Sequence, residues 1–130
     1  MISVAWHNSE KTIMVMTMVT PWSWEEYHQT TAEMYALLDS VRHKVDVILD
    51  FTESTHLPPN AFSHLRNLDR KTHTNRGTVI LVGFSKFLQV IADVLVKLYP
   101  SAAKSARMVR TLDEAYAVAA EIQSQREAVV

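Results

Sequence analysis

A chain of 130 residues, 48% of them hydrophobic, can bury one core of ordinary size; a domain this long removes roughly two-thirds of its unfolded surface from water. It contains no cysteine, which excludes disulfides, thiolate metal sites and a cysteine nucleophile. A formal net charge of −1 supplies no general pull toward nucleic acid or anionic lipid, so no nucleic-acid partner is expected.

The first elements read as a hairpin. Residues 2–6 and 12–19 are rich in Val, Ile, Thr and Met, with the polar stretch His7–Lys11 between them. In the second strand Ile13, Val15 and Val19 alternate with Met14, Met16 and Met18. Both faces are apolar, which places the strand inside a sheet covered on both sides. This stretch has no basic leader and no long apolar run, so the expectation is a cytoplasmic chain with no signal and no membrane span.

The period then changes from that of a strand to that of a helix. Trp24, Tyr27, Thr31, Met34, Leu38 and Val41 recur every three or four residues. Ser23 and Glu26 have the spacing of a capping box, and Trp22 is placed to meet Tyr27 across the cap as a hydrophobic staple. Cap and core account for both tryptophans without an aromatic ligand cage.

Val45–Phe51 alternates as a strand with Val45, Val47, Leu49 and Phe51 on one face. A helix follows over Asn60–His73, with Ala61, Leu65, Leu68 and Thr72 as its buried stripe and Gly77 of TNRG as its stop signal. Thr78–Gly83 is a continuous apolar run, the pattern of a central parallel strand. The helix predicted over Ser85–Tyr99 has one narrow polar strip, Lys86, Gln89, Asp93 and Lys97, and needs cover on more than one side. Pro100 ends it. A short strand at Ala106–Val109 and a closing helix capped by Thr111 and Glu114 complete the chain. The order β-β-α-β-α-β-α-β-α specifies an α/β fold in one domain over residues 1–130: a mixed, mostly parallel sheet of about five strands with four helices.

This order resembles the STAS domain, the fold of bacterial anti-sigma factor antagonists, and more closely its divergent SpoIIAA-like relatives. Three stretches carry the resemblance. VILDFTEST is similar to the STAS strand that ends in a hydrophobic-Asp-hydrophobic triplet, TVILVGFSKFLQVIADVL to its later strand and helix, and RMVRTLDEAYAVA to its closing strand and helix start. In the regulatory branch of the family a partner kinase phosphorylates a serine at the start of the helix after the first of these strands. That position falls here on Pro59 or Asn60, neither of which carries a hydroxyl. The resemblance therefore implies a non-catalytic regulatory or protein-interaction module without the usual phosphorylatable serine and without a cofactor. Ser54 and Thr55 lie several residues earlier, where hydroxyls commonly satisfy turns.

Ligands of open α/β sheets gather beyond the carboxyl ends of parallel strands. That rule sets Thr52–Asn60 beside Gly83–Lys86 and defines a candidate binding rim of Ser54, Thr55, His56, Asn60, Ser85 and Lys86. Helix starts near Asn60 and Ser85, with Lys86, would offer donors and positive charge to a small anion; Asn60 and Ser85 would equally serve as plain caps. Phe87, Val90, Val94 and Leu98 form a candidate self-association face for a homodimer. A Met-rich strand and an apolar helix leave open a small-molecule ligand, lipid-like or anionic, as the alternative function.

The remaining patterns argue against an enzyme. The six histidines show no HExxH and no i, i+4 pair, so they are expected as scattered surface residues and no metal site is expected. Asp50 and Glu53 need not converge as an acid/base pair. Ser101 and Lys104 match SxxK without its companion motifs, and two glycines do not make a phosphate loop.

Overall fold

The computed structural model describes residues 1–54, 56–60, 63, 64, 74–83, 89, 93, 97 and 106–128. The described elements are β1 (Ile2–Trp6), β2 (Ile13–Val19), α1 (Trp24–Asp39), β3 (Val45–Glu53), β4 (Arg76–Val82), β5 (Ala106–Val109) and α2 (Leu112–Ala128). Ser63, His64, Gln89, Asp93 and Lys97 are helical, within the spans expected as helices. The rest of the Ser85–Tyr99 expectation, including Phe87, Val90, Val94 and Leu98, lies outside the described residues, as does the stripe Ala61, Leu65, Leu68 and Thr72.

The five strands form one sheet in the order β1-β2-β3-β4-β5. β1 and β2 are antiparallel, with Ile2 opposite Met18 and Trp6 opposite Met14. β2, β3, β4 and β5 run parallel, with Met16 beside Leu49, Ile48 beside Ile80 and Ile80 beside Arg107. The α/β class and the mixed, mostly parallel sheet are those predicted. Asn8 makes the hairpin turn: its Oδ1 accepts from the N–H groups of Thr12 and Ile13 at 3.0 and 3.1 Å. The side chain thus stands in for backbone pairing where the chain reverses.

Strand alternation divides the core in two. Met14, Met16 and Met18 of β2 and Val45 and Val47 of β3 lie under Trp24, Tyr27, Met34 and Leu38 of α1. On the opposite face Ile13, Ile48, Ile80 and Val82 meet Ala115 and Ala119 of α2. Each large side chain so buried stabilises the fold by roughly 1.5–3 kcal/mol relative to exposure. β2 therefore has apolar cover on both faces, as its residues required.

α1 begins at Ser23, whose extended backbone and Oγ, accepting from the Glu26 N–H, make an N-cap. Glu26 does not return the bond. Its Oε2 accepts from the Ile2 N–H at 2.9 Å, so the second half of the expected capping box ties α1 to β1 instead. The buried stripe also differs by one position: Thr30 is buried and Thr31 half-buried, and both hydroxyls donate back to carbonyls one turn earlier. The helix ends at Asp39; Val41 lies beyond it and still packs on the core. Asn75 holds this end, its Nδ2 donating to the carbonyls of Leu38 and Val41, both at 2.9 Å. α2 starts at the predicted cap, with Thr111 Oγ1 accepting from the Glu114 N–H, while Glu114 Oε2 accepts from the Arg110 N–H rather than from that of Thr111.

Gly77 is not a helix stop. It lies inside β4, where an added Cβ would stand 2.5 Å from Asp46 Oδ1 and 2.7 Å from Arg126 Nη2. The residue is small because an ion pair passes over its backbone. Among the described residues no helix is long and apolar enough to cross a membrane.

Candidate functional site

Because β2, β3 and β4 are parallel, their carboxyl ends share one edge of the sheet. Val19 stands beside Glu53, and Asp50 beside Val82. Gly83, just past β4, has φ +82 and approaches β3 so closely that a Cβ would sit 2.8 Å from the Thr52 backbone. Only glycine fits that conformation and that gap without strain. Asp50 Oδ1 accepts from both the N–H and the hydroxyl of Thr52, at 2.9 and 2.7 Å. Asp50 is buried while Glu53 is exposed. The carboxylate of Asp50 thus closes an Asx turn at the strand end.

Beyond this turn the chain is held by two indoles. Ser54 is only 6% exposed, and its Oγ accepts from Trp22 Nε1 at 2.9 Å. Trp24 Nε1 donates to the Pro59 carbonyl at 2.7 Å and, less closely, to that of Pro58 at 3.3 Å. A buried indole N–H needs such a partner, and proline carbonyls are good acceptors with no N–H of their own to satisfy. Trp24 packs edge-on against both Trp22 and Tyr27, with Trp22 and Trp24 centroids 5.0 Å apart and Trp24 and Tyr27 5.5 Å apart. Trp22 and Tyr27 stand 6.3 Å apart in the staple relation. The rings cover each other's faces, the arrangement of cap and core. Burial raises the Tyr27 pKa above the usual tyrosine value, with a hydrogen bond from Thr31 opposing in part.

Asn60 ends the loop at φ 68, a left-handed conformation that asparagine tolerates better than most residues. Its carbonyl accepts from the N–H groups of Ser63 and His64 at 3.1 and 3.4 Å, so the following helical turn starts from it. Of the predicted rim, His56 and Asn60 are exposed, while Ser54 faces inward with its hydroxyl engaged by Trp22. Thr55, Ser85 and Lys86 lie outside the described residues, and the anion-site expectation at Ser85 and Lys86 lies there with them.

The histidines are less scattered than their spacing indicates. His28 Nε2 and His64 Nδ1 are 2.9 Å apart, one imidazole donating and the other accepting. His64 stacks on Trp24 with centroids 4.7 Å apart and planes 10° apart, and His28 meets Tyr27 edge-on. His7 stacks on Tyr116, and His43 Nε2 bonds to the Lys11 carbonyl. A search for pairs within one helix misses His28 and His64 because they sit on separate helical segments. The available signal is indirect: each follows a cap at the same rim, five residues after Ser23 and four after Asn60.

A second polar cluster, unmarked by any motif, lies at the opposite end of the sheet. Asp46, fully buried, accepts at Oδ1 from the Thr78 N–H and from Arg126 Nη2, both at 2.9 Å. Arg126 Nη1 reaches Oδ2 at 3.4 Å, giving a forked contact. Nearby, Gln123 Nε2 donates to the Thr12 carbonyl. These bonds fasten α2 across the starts of β2, β3 and β4.

Among the described residues no three His, Asp or Glu side chains group as metal ligands. No protein-family model matches the chain, and no curated protein matches it.

Proposed function

We propose that the chain is a STAS-like, SpoIIAA-like module of the cytoplasm, with four helices around its sheet, that acts through protein interaction rather than catalysis. The observation that carries this reading is the loop after β3, pinned by Trp22 to Ser54 and by Trp24 to Pro59 while His56, Pro59 and Asn60 remain exposed. A loop fixed from beneath and open above loses little conformational entropy when a partner lands on it. Its position supports the same reading, because the resembled family keeps its regulated serine at the equivalent of Pro59 or Asn60. With no hydroxyl there, recognition would depend on shape and on the His56 and Asn60 side chains rather than on a phosphate. A second copy of the chain is one such partner.

Two measurements test this. Quantitative cross-linking capture from the source cell compares the wild-type chain with the His56→Asp, Asn60→Asp double variant and with Arg107→Glu on the distant strand β5. The expected result is a protein retained by wild type and Arg107→Glu and lost by the loop variant; equal retention by all three would overturn the reading. Light scattering at micromolar concentration identifies the partner as self or other, a strict monomer removing self-association.

A further inference from the structure

We propose that His28 and His64 form a two-histidine site for a divalent transition-metal ion of the Zn²⁺, Ni²⁺ and Cu²⁺ class. The two facing nitrogens, His28 Nε2 and His64 Nδ1, are 2.9 Å apart with ring centroids at 5.1 Å. Two imidazoles on a tetrahedral zinc, each bound at about 2.0–2.1 Å, have nitrogens about 3.3 Å and ring centres about 5.2 Å apart. Cis ligands in a tetragonal field, as copper and nickel prefer, bring the nitrogens to about 2.9 Å. The ring centres thus already stand near the tetrahedral spacing, and the two nitrogens, now nearly head-on, converge on one ion when each ring turns by about 35°. On binding, the ring that now donates carries its proton on its other nitrogen, so that both facing nitrogens offer a lone pair to the ion.

Both rings are held from outside the pair. The indole of Trp24 supports the face of His64, and Tyr27 abuts His28. Such support fixes ring orientation before the metal arrives, as outer partners do in built metal sites. The pair is open to solvent, so an ion can enter and retain water. With two protein ligands the remaining positions are free for water or for a carboxylate or imidazole brought by another molecule. Bound metal would join α1 to the segment after the Asn60 loop, which the hydrogen bond between the two imidazoles and their aromatic contacts now connect. The site stands independently of the interaction reading, since neither His28 nor His64 belongs to the exposed face of that loop.

Titration of the purified chain with Cu²⁺, Ni²⁺ and Zn²⁺ separately tests the proposal, read by tryptophan fluorescence and by imidazole ¹⁵N shifts. Cu²⁺ at His64 lies against Trp24 and should quench it saturably, with Cu²⁺ binding tighter than Ni²⁺ or Zn²⁺. Zn²⁺ should move the resonances of His28 Nε2 and His64 Nδ1 before those of any other histidine. His28→Gln and His64→Gln should each weaken binding about tenfold or more, because either loss removes one of two ligands. His43→Gln and His56→Gln should leave it unchanged. Binding that survives both His28→Gln and His64→Gln, or first shifts at other imidazoles, would overturn the site. Circular dichroism of the variants separates ligand loss from unfolding, and Zn²⁺ shifts on the wild-type chain decide the matter if either variant misfolds.

Discussion

At the amino ends of β3 and β4 the sheet is closed by a carboxylate and a guanidinium; at their carboxyl ends it is closed by two indole N–H groups. In the first region Asp46 is fully buried and binds Thr78 and Arg126, and Gly77 leaves the room they need. In the second, Ser54, Pro58 and Pro59 accept from Trp22 and Trp24, and the chain above them stays exposed at His56 and Asn60. A buried ion pair has strict partners, and losing one leaves a charge in a poor solvent. The indole contacts satisfy polar atoms while leaving an apolar base on which a loop and two imidazoles rest. The first arrangement suits a fastening; the second leaves its loop supported from beneath and open to solvent.

The largest expected effect comes from removing the guanidinium. Arg126→Ala should destabilise the chain by about 3 kcal/mol, because the buried Asp46 carboxylate keeps only the Thr78 N–H. Arg126 is 33% exposed, so a loss under about 1 kcal/mol in urea denaturation would make the pair equivalent to a surface contact and break the contrast. Gly77→Ala should cost about 2 kcal/mol by pushing its new methyl into both members of the pair. Combined with Arg126→Ala, its penalty should shrink, since one of the two clashes is gone; full additivity in a double-mutant cycle would show that Gly77 serves some other purpose.

At the opposite end, Ser54→Ala should cost about 1–2 kcal/mol by leaving the Trp22 N–H buried without its acceptor. Amide exchange at His56, Leu57 and Asn60 should quicken with it; unchanged exchange would mean that Trp24 alone holds the loop.

The smallest effect is a pH dependence confined to alkaline solution. The folded-state pKa of Tyr27 lies above its unfolded value, so the stability it contributes is fully present below about pH 10 and is lost as pH rises toward the folded pKa. Ultraviolet titration should show one tyrosine ionising later than the rest, and Tyr27→Phe should remove that delayed step. A late step that persists in Tyr27→Phe would assign it to another tyrosine and place Tyr27 in a wetter setting.

Much of the fold was legible because the signals are local. The change of period at Trp24, the capping serine and threonine, and the two-sided apolar pattern of β2 each depend on residues within a few positions of one another. Glu26 shows where locality ends: its spacing from Ser23 is that of a capping box, yet the Ile2 N–H, brought alongside by β1 pairing, takes the carboxylate. Gly77 shows the same, its stop signal overruled by a strand and an ion pair above it. The candidate rim was legible as a region, through the rule about strand ends, but the inward aim of the Ser54 hydroxyl depends on the two tryptophans.

By itself the sequence determined the α/β class, the order of the described elements and the alternation that sets Met14, Met16 and Met18, and likewise Val45 and Val47, on one face of their strands. Only the tertiary structure decided that Asp46 meets Arg126, 80 residues away, and that His28 meets His64, 36 residues away. Periodicity and capping report interactions within a turn of helix or along one strand. Pairs such as these are chosen by strand order and register, which bring distant segments together only once the whole sheet has formed.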